Sequence, residues 1–178
     1  PGVVEVLMSE AAYDIQVRLE RWRDEAQAAV DSFASLRQRT EEISRHLESP
    51  PGVLQFIDFF ATFYAAAVGV FERVRTELDQ PPQGAHADAL RQVASNASLE
   101  QRRCLQFRDK WINRPLPYED VRPLLNEIVN TAANGLAGFR ELTPIADELE
   151  VLARLIPAPK EESGPLGGGQ LFTKWFGR

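Results

Sequence analysis

Apolar side chains recur at alternating intervals of four and three residues over the first quarter of the chain. This seam consists of Met8, Ala12, Ile15, Leu19, Trp22, Ala26, Ala29, Phe33, Leu36, Thr40, Ile43 and Leu47. Its average interval of 3.5 residues keeps one helical face apolar and predicts that a second helix lies alongside. The pattern therefore predicts a long first helix over residues 9–48, with Ser9 as its cap and Ser49-Pro50-Pro51-Gly52 at its end.

The positions beside the seam lack the complementary Glu and Lys residues of a self-pairing zipper. Small Ala26 and Ala29 lie between bulky Trp22 and Phe33, an alternation that favours packing against several helices. We therefore expect this helix to lie within a bundle, and a homodimer through it stays open as the alternative. The short run from residue 3 to residue 7 fits either a strand-like arm or extra helical turns.

A second helix is predicted over residues 53–78, with Pro50 or Pro51 in its first turn. It is the most apolar segment of the chain and is expected at the centre of the bundle. A membrane span is the competing interpretation. The charge-free run from Phe59 to Phe71 has only 13 residues, whereas a span needs roughly 20.

Three further helices follow at residues 85–112, from Asp120 to about Leu142, and from Thr143 to about Ile156. The spacing of Ser98 and Gln101 predicts a break within the third helix. Pro123 and Pro144 are expected in the first turns of the fourth and fifth helices, and Thr143 is expected to cap the fifth. The fourth and fifth helices, laid end to end, have the length to cover the first. The fold class is therefore all-α: an elongated up-and-down bundle of four long helices and a short fifth, over residues 1–157.

Residues 158–169 form a linker rich in Pro and Gly, and residues 170–178 form a short amphipathic motif. In helical form this motif places its large apolar residues on one face. Its predicted partner-binding residues are Leu171, Phe172, Lys174, Trp175, Phe176 and Arg178.

Four interpretations of this motif remain open. It docks on its own bundle, it binds a partner groove through its aromatic anchors, it contacts a membrane surface, or it is an expression-vector remnant. The leading functional prediction is a non-catalytic protein–protein interaction module, an adaptor or regulator. A membrane-surface protein anchored by the motif is the alternative.

The net charge of −6 argues against nucleic acid as a partner, because phosphate binding needs a cationic surface. A single cysteine, Cys104, excludes an intrachain disulfide and favours a cytoplasmic location. The N-terminal residues lack the pattern of a secretory signal. The cationic residues Arg102, Arg103, Arg108, Lys110, Arg114 and Arg122 are interleaved with carboxylates, which favours a mixed solvated face over an anion-binding one.

The sequence contains no phosphate loop, catalytic triad order or zinc spacing, so we expect no enzyme, cofactor or metal site. His46 and His86 are expected to be solvated or to cap helices. Asp58, between apolar neighbours, is expected at the surface, or paired with an arginine if buried. Cys104 is expected in the core.

Overall fold

A computed structural model of the protein describes residues 2–44, 50–79, 84–115 and 121–155. These residues contain no strand and form five α-helices: α1 (Val3–Ile43), α2 (Pro50–Thr76), α3 (Gly84–Phe107), α4 (Arg122–Gly138) and α5 (Leu142–Leu155). A 3-10 turn at Glu77–Asp79 follows α2, a π turn at Arg108–Ile112 extends α3, and a 3-10 turn at Phe139–Glu141 joins α4 to α5. The predicted all-α bundle is confirmed.

The first helix begins six residues earlier than predicted. Gly2 precedes it without a side-chain cap, and Ser9 lies inside the helix, so the predicted cap and the alternative of a strand-like arm are both wrong. The physical reason is that residues 3–8 contain neither Pro nor Gly. Extending a helix by one turn is less costly than starting one at an internal serine. With 41 residues, α1 is about 60 Å long.

Ion pairs fix the direction of the helices around α1. Arg37 binds Asp58 at 2.8 Å and Arg23 binds Glu72 at 2.9 Å, so α2 runs antiparallel to α1. On another side of α1, Arg39 binds Glu127 of α4. Nearer its N-terminal end, Arg18 binds Glu148 of α5. The fourth helix therefore packs along the first, as the lengths predicted, whereas α5 packs mainly against α3 and reaches α1 through this ion pair.

Contacts of α3 complete the bundle. Phe56 and Phe107 meet at one end of the α2–α3 pair, with ring centroids 4.2 Å apart, and His86 lies 3.2 Å from Glu77 at the other. Arg91 of α3 binds Asp147 of α5. The described chain thus runs up, down, up and down, and α4 together with α5 forms the fourth rod.

The seam of α1 is buried against the protein's own helices. Ile15, Leu19 and Phe33 have no exposed surface. Thr40 is equally buried, and its hydroxyl donates a hydrogen bond to the Leu36 carbonyl at 2.7 Å, which satisfies the one polar member of the seam. A homodimer through α1 stays a prediction. Between Ile15 and Thr40 the protein's own helices already cover the seam, which leaves little apolar surface of α1 for a second copy.

The third helix does not break at Ser98. The Ser98 hydroxyl instead donates to the Ala94 carbonyl one turn earlier, at 3.2 Å, so it does not act as a cap. The irregularity lies further on, where the Asn113 N–H donates to the Arg108 carbonyl five residues back. This π turn rotates the face, and Ile112 becomes more buried than Trp111.

Pro144 explains the short turn between α4 and α5. Proline has no N–H to donate to the carbonyl four residues earlier, at Arg140, and its ring crowds that carbonyl. The helical path therefore continues through a 3-10 turn at Phe139–Glu141, and α5 begins at Leu142. Thr143 therefore lies inside the first turn of α5, and its predicted role as a cap is wrong.

The second helix is the centre of the core, as predicted. Ile57, Phe60, Phe63 and Phe71 are fully buried. Within the described chain α2 is also the one helix, over Gly52–Thr76, that is long and apolar enough to cross a membrane. Half of its most apolar window is buried inside the bundle, and the core helix of a soluble protein has the same composition, so this finding is weak evidence for a span.

Candidate functional site

The predicted partner-binding motif follows the last described helix in the sequence. Its residues, Leu171, Phe172, Lys174, Trp175, Phe176 and Arg178, lie outside the described residues, as do the linker and His46. The described helices therefore contribute candidate surfaces, and the motif remains a candidate from sequence.

One end of the bundle carries exposed apolar side chains on two neighbouring helices. Tyr13 and Val17 of α1 are 68% and 46% exposed, and Val151 and Leu155 of α5 are 54% and 57% exposed. Each pair is four residues apart and so occupies one helical face. The Arg18–Glu148 ion pair links the two helices at this level, although α1 packs chiefly against α2 and α4, and α5 packs chiefly against α3.

Charges of both signs lie near these apolar residues. Asp14 and Glu148 both bind the guanidinium of Arg18, Asp14 at 3.0 Å, and Arg154 is exposed next to Leu155. The exposed apolar residues were missed in the sequence because the seam masked them. Their signal is the spacing of Tyr13 and Val17 on the polar side of α1, together with Val151 and Leu155 on α5.

The arginine-rich region does not form a single cationic patch. Arg103 bonds Glu100 at 2.8 Å, and Arg108 bonds the side chain of Asn130. Arg122 donates to the main-chain carbonyl of Ile112 and so ties the end of the π turn to the start of α4. The mixed face expected from the sequence fits these pairings better than an anion-binding face.

A shallow groove of about 350 Å³ lies between α3 and the start of α5. It is lined by Arg91, Ala94, Ser95, Ser98, Arg140 and Thr143. Asp147 and Glu150 bond the Arg91 guanidinium at 2.8 and 2.7 Å and raise its pKa. Because Arg91 is already bonded to these carboxylates, the groups that remain for binding an anion in this groove are the Arg140 guanidinium and the hydroxyl groups of Ser95, Ser98 and Thr143.

His86 is buried, which corrects its predicted place in solvent. It is 2% exposed, its Nε2 atom lies 3.2 Å from Glu77, and its Nδ1 atom has no hydrogen-bond partner among the described residues. Burial is the main cause that lowers the pKa of His86; nearby Arg73 lowers it further, and Glu77 opposes both. His86 is therefore held in its neutral form within the core.

Asp58 and Cys104 lie where the sequence placed them. The Asp58 carboxylate is exposed and binds Arg37. Cys104 is buried, and burial raises the pKa of its thiol to about 11. A thiol in this state is neither an effective nucleophile nor a ready metal ligand.

Among the described residues no three His, Cys, Asp or Glu side chains are grouped closely enough to hold a metal ion. No protein-family model, curated protein or solved structure matches this chain.

Proposed function

We propose that this protein is a non-catalytic interaction module, an adaptor or regulator, whose C-terminal motif binds a groove on a protein partner. One observation carries the proposal: the buried apolar side chains of the described helices form a single cluster from Ile15 to Leu152. That core is continuous without the motif. Leu171, Phe172, Trp175 and Phe176, beyond a linker of Pro and Gly, are then anchors for another surface.

The chemistry of the described bundle supports binding over catalysis. Its one cysteine is buried with a raised pKa, and its buried histidine contacts a carboxylate rather than a nucleophile. The groove beside α5 contains hydroxyl groups, but Arg91 within it is already bonded to carboxylates. A catalytic pair needs a nucleophile and a base within hydrogen-bond reach, and these residues do not supply one.

A capture experiment tests the proposal with the full chain as bait. The double change Trp175→Ala and Phe176→Ala removes two anchors, and we expect it to abolish capture of specific partners. The matched control is Leu99→Ala with Leu105→Ala, which removes two exposed apolar side chains from α3. Far-ultraviolet circular dichroism establishes that both variants remain helical. An unchanged set of captured proteins after the Trp175 and Phe176 changes contradicts the proposal.

A membrane surface is the second candidate, because Lys174 and Arg178 accompany the aromatic residues of the motif. Anionic phospholipid vesicles distinguish the two. Cosedimentation of the full chain that is lost on deletion of residues 164–178 supports the membrane role. If the full chain stays in the supernatant while it captures a protein partner, the membrane role is rejected.

A further inference from the structure

His86 lies in the first turn of α3, at the end of the bundle where α3 meets the 3-10 turn after α2. The side chain is 2% exposed, and the apolar residues that follow Glu77 and His86 in sequence, Leu78 and Ala87, are buried as well. Histidine is the side chain whose ordinary pKa places its change of charge between pH 5 and 8. A histidine buried at a helix end can therefore link the structure of that end to pH.

The two ring nitrogens of His86 have different surroundings. The Nε2 atom lies 3.2 Å from a carboxylate oxygen of Glu77, and a carboxylate favours the N–H form of the nitrogen beside it. The Nδ1 atom is buried and has no hydrogen-bond partner among the described residues. In the neutral ring Nδ1 then carries the lone pair, and it is the atom that a proton must reach. Protonation of His86 therefore requires that Nδ1 be uncovered.

The closed arrangement disfavours the imidazolium form. An N–H group at Nδ1 would be buried without an acceptor. The first turn of a helix carries a partial positive charge, and this turn of α3 contains no carboxylate that would offset it. Burial lowers the pKa of His86 most, Glu77 raises it, and Arg73 lowers it. The proton is therefore bound more tightly once the ring has left the core.

Other charged side chains near this end of the bundle are paired with one another. Within the described chain, Glu77 and Arg73 are the residues whose charge acts on His86. The neighbouring ion pairs are Glu20 of α1 with Arg75 of α2, Asp88 with Arg91 within α3, and Asp147 and Glu150 of α5 with Arg91.

The first turn of α3 is lightly packed. A Cβ atom added at Gly84 would meet nothing within 4 Å. Beyond this turn α3 packs chiefly against α5 and α4, and less against α2. The ends of helices open at a lower free energy than their centres. Opening of this turn therefore breaks few contacts and leaves the rest of α3 in place.

We propose that His86 is a pH-sensitive latch at the α2–α3 end of the bundle. In the neutral form its ring lies in the core and holds the first turn of α3 against the turn at Glu77–Asp79. On acidification a proton binds Nδ1 in the open form, so the ring stays in solvent and Leu78 and Ala87 become exposed with it. This response belongs to the bundle and does not depend on the proposed partner or on the C-terminal motif.

Hydrogen exchange of the full chain, resolved by residue with nuclear magnetic resonance, tests the latch. The amides of residues 88–91 donate to the carbonyls of residues 84–87, so they report opening of the first turn, whereas the amides of residues 101–104 report the middle of α3. In the open form a histidine with the ordinary pKa of 6.5 is about nine-tenths protonated at pH 5.5. We therefore expect exchange at residues 88–91, divided by the intrinsic rates, to rise up to roughly tenfold between pH 7.5 and 5.5.

Low concentrations of urea distinguish opening of the latch from unfolding of the whole bundle. Opening of one turn exposes little surface, so urea should leave exchange at residues 88–91 nearly unchanged. Exchange at residues 101–104 should be slower and should accelerate with urea. If both groups of amides show the same protection and the same response to urea, His86 is uncovered only by unfolding of the bundle, and the latch is rejected.

Substitutions assign the response to His86. Both His86→Gln and His86→Phe remove the titration, and the phenylalanine also keeps a ring of similar size in the core. Each should abolish the acceleration at residues 88–91. The matched control is His46→Gln, which removes the other histidine of the chain and should retain the acceleration. Absence of any acceleration in the unaltered protein overturns the proposal, and so does an acceleration that persists in both His86 variants.

Discussion

Replacement of Gly135 by alanine should destabilise the bundle strongly, although alanine is the better helix former. Gly135 lies in α4 against Tyr64 of α2, and an added Cβ atom would overlap the Tyr64 hydroxyl oxygen and lie 2.6 Å from Cε1. Tyr64 is buried, and the ring centroids of Phe33, Phe63 and Phe139 lie 5.6 to 5.9 Å from its own. The tyrosine therefore has little room to withdraw.

Three contributions set the size of the effect. Overpacking a core costs about 1–3 kcal/mol. Displacing Tyr64 also breaks the 2.6 Å hydrogen bond from its hydroxyl to the Ala132 carbonyl, and leaving such groups buried and unpaired costs about 1–3 kcal/mol. The higher helix propensity of alanine compared with glycine offsets about 1 kcal/mol of this loss. The net loss is about 3 kcal/mol, which lowers the Tm of a protein of this size by roughly 6–12 °C.

Urea denaturation of the two matched glycine variants measures this effect. Gly69 lies within α2, and a Cβ atom added there would meet nothing within 4 Å. Gly69→Ala should therefore raise the free energy of unfolding by about 1 kcal/mol, while Gly135→Ala lowers it. Adding Tyr64→Phe to Gly135→Ala removes the closest atom and should restore part of the loss. If Gly135→Ala is as stable as Gly69→Ala, the described packing of α2 against α4 is wrong.

Two further predictions concern buried titratable groups. The pKa of His86 is lower in the folded than in the unfolded protein, so the unfolded chain binds more protons and the free energy of unfolding should fall as the pH drops below about 6.5. Urea titrations between pH 5 and 7.5 should show a smaller fall in His86→Gln, and an equal fall refutes the assignment to His86. The Cys104 thiol, buried with a raised pKa, should react with Ellman's reagent only at the rate at which the native protein opens. Rapid reaction without urea contradicts its burial.

The helix content and the order of the helices could be predicted because both depend on local chemistry. The interval of 3.5 residues in the seam required a neighbouring helix, and Pro123 and Pro144 located the starts of α4 and α5. The predicted helix boundaries were wrong where a capping residue competes with continuation of the same helix. Ser9 and Ser98 resemble caps in sequence, yet both lie inside helices because extending an existing helix is less costly than starting a new one.

The tertiary structure decided which side chains meet across the bundle. Nothing near Gly135 in sequence reveals that Tyr64 lies against it, and the local pattern at His86 did not reveal its burial, which depends on α2 covering α3. Tyr13 and Val17 of α1 and Val151 and Leu155 of α5 likewise stay exposed because no described helix covers these faces. Periodicity along the chain determines that a helix has an apolar face. Contacts between helices that are distant in sequence determine which residues on that face, and on the opposite face, remain exposed to solvent.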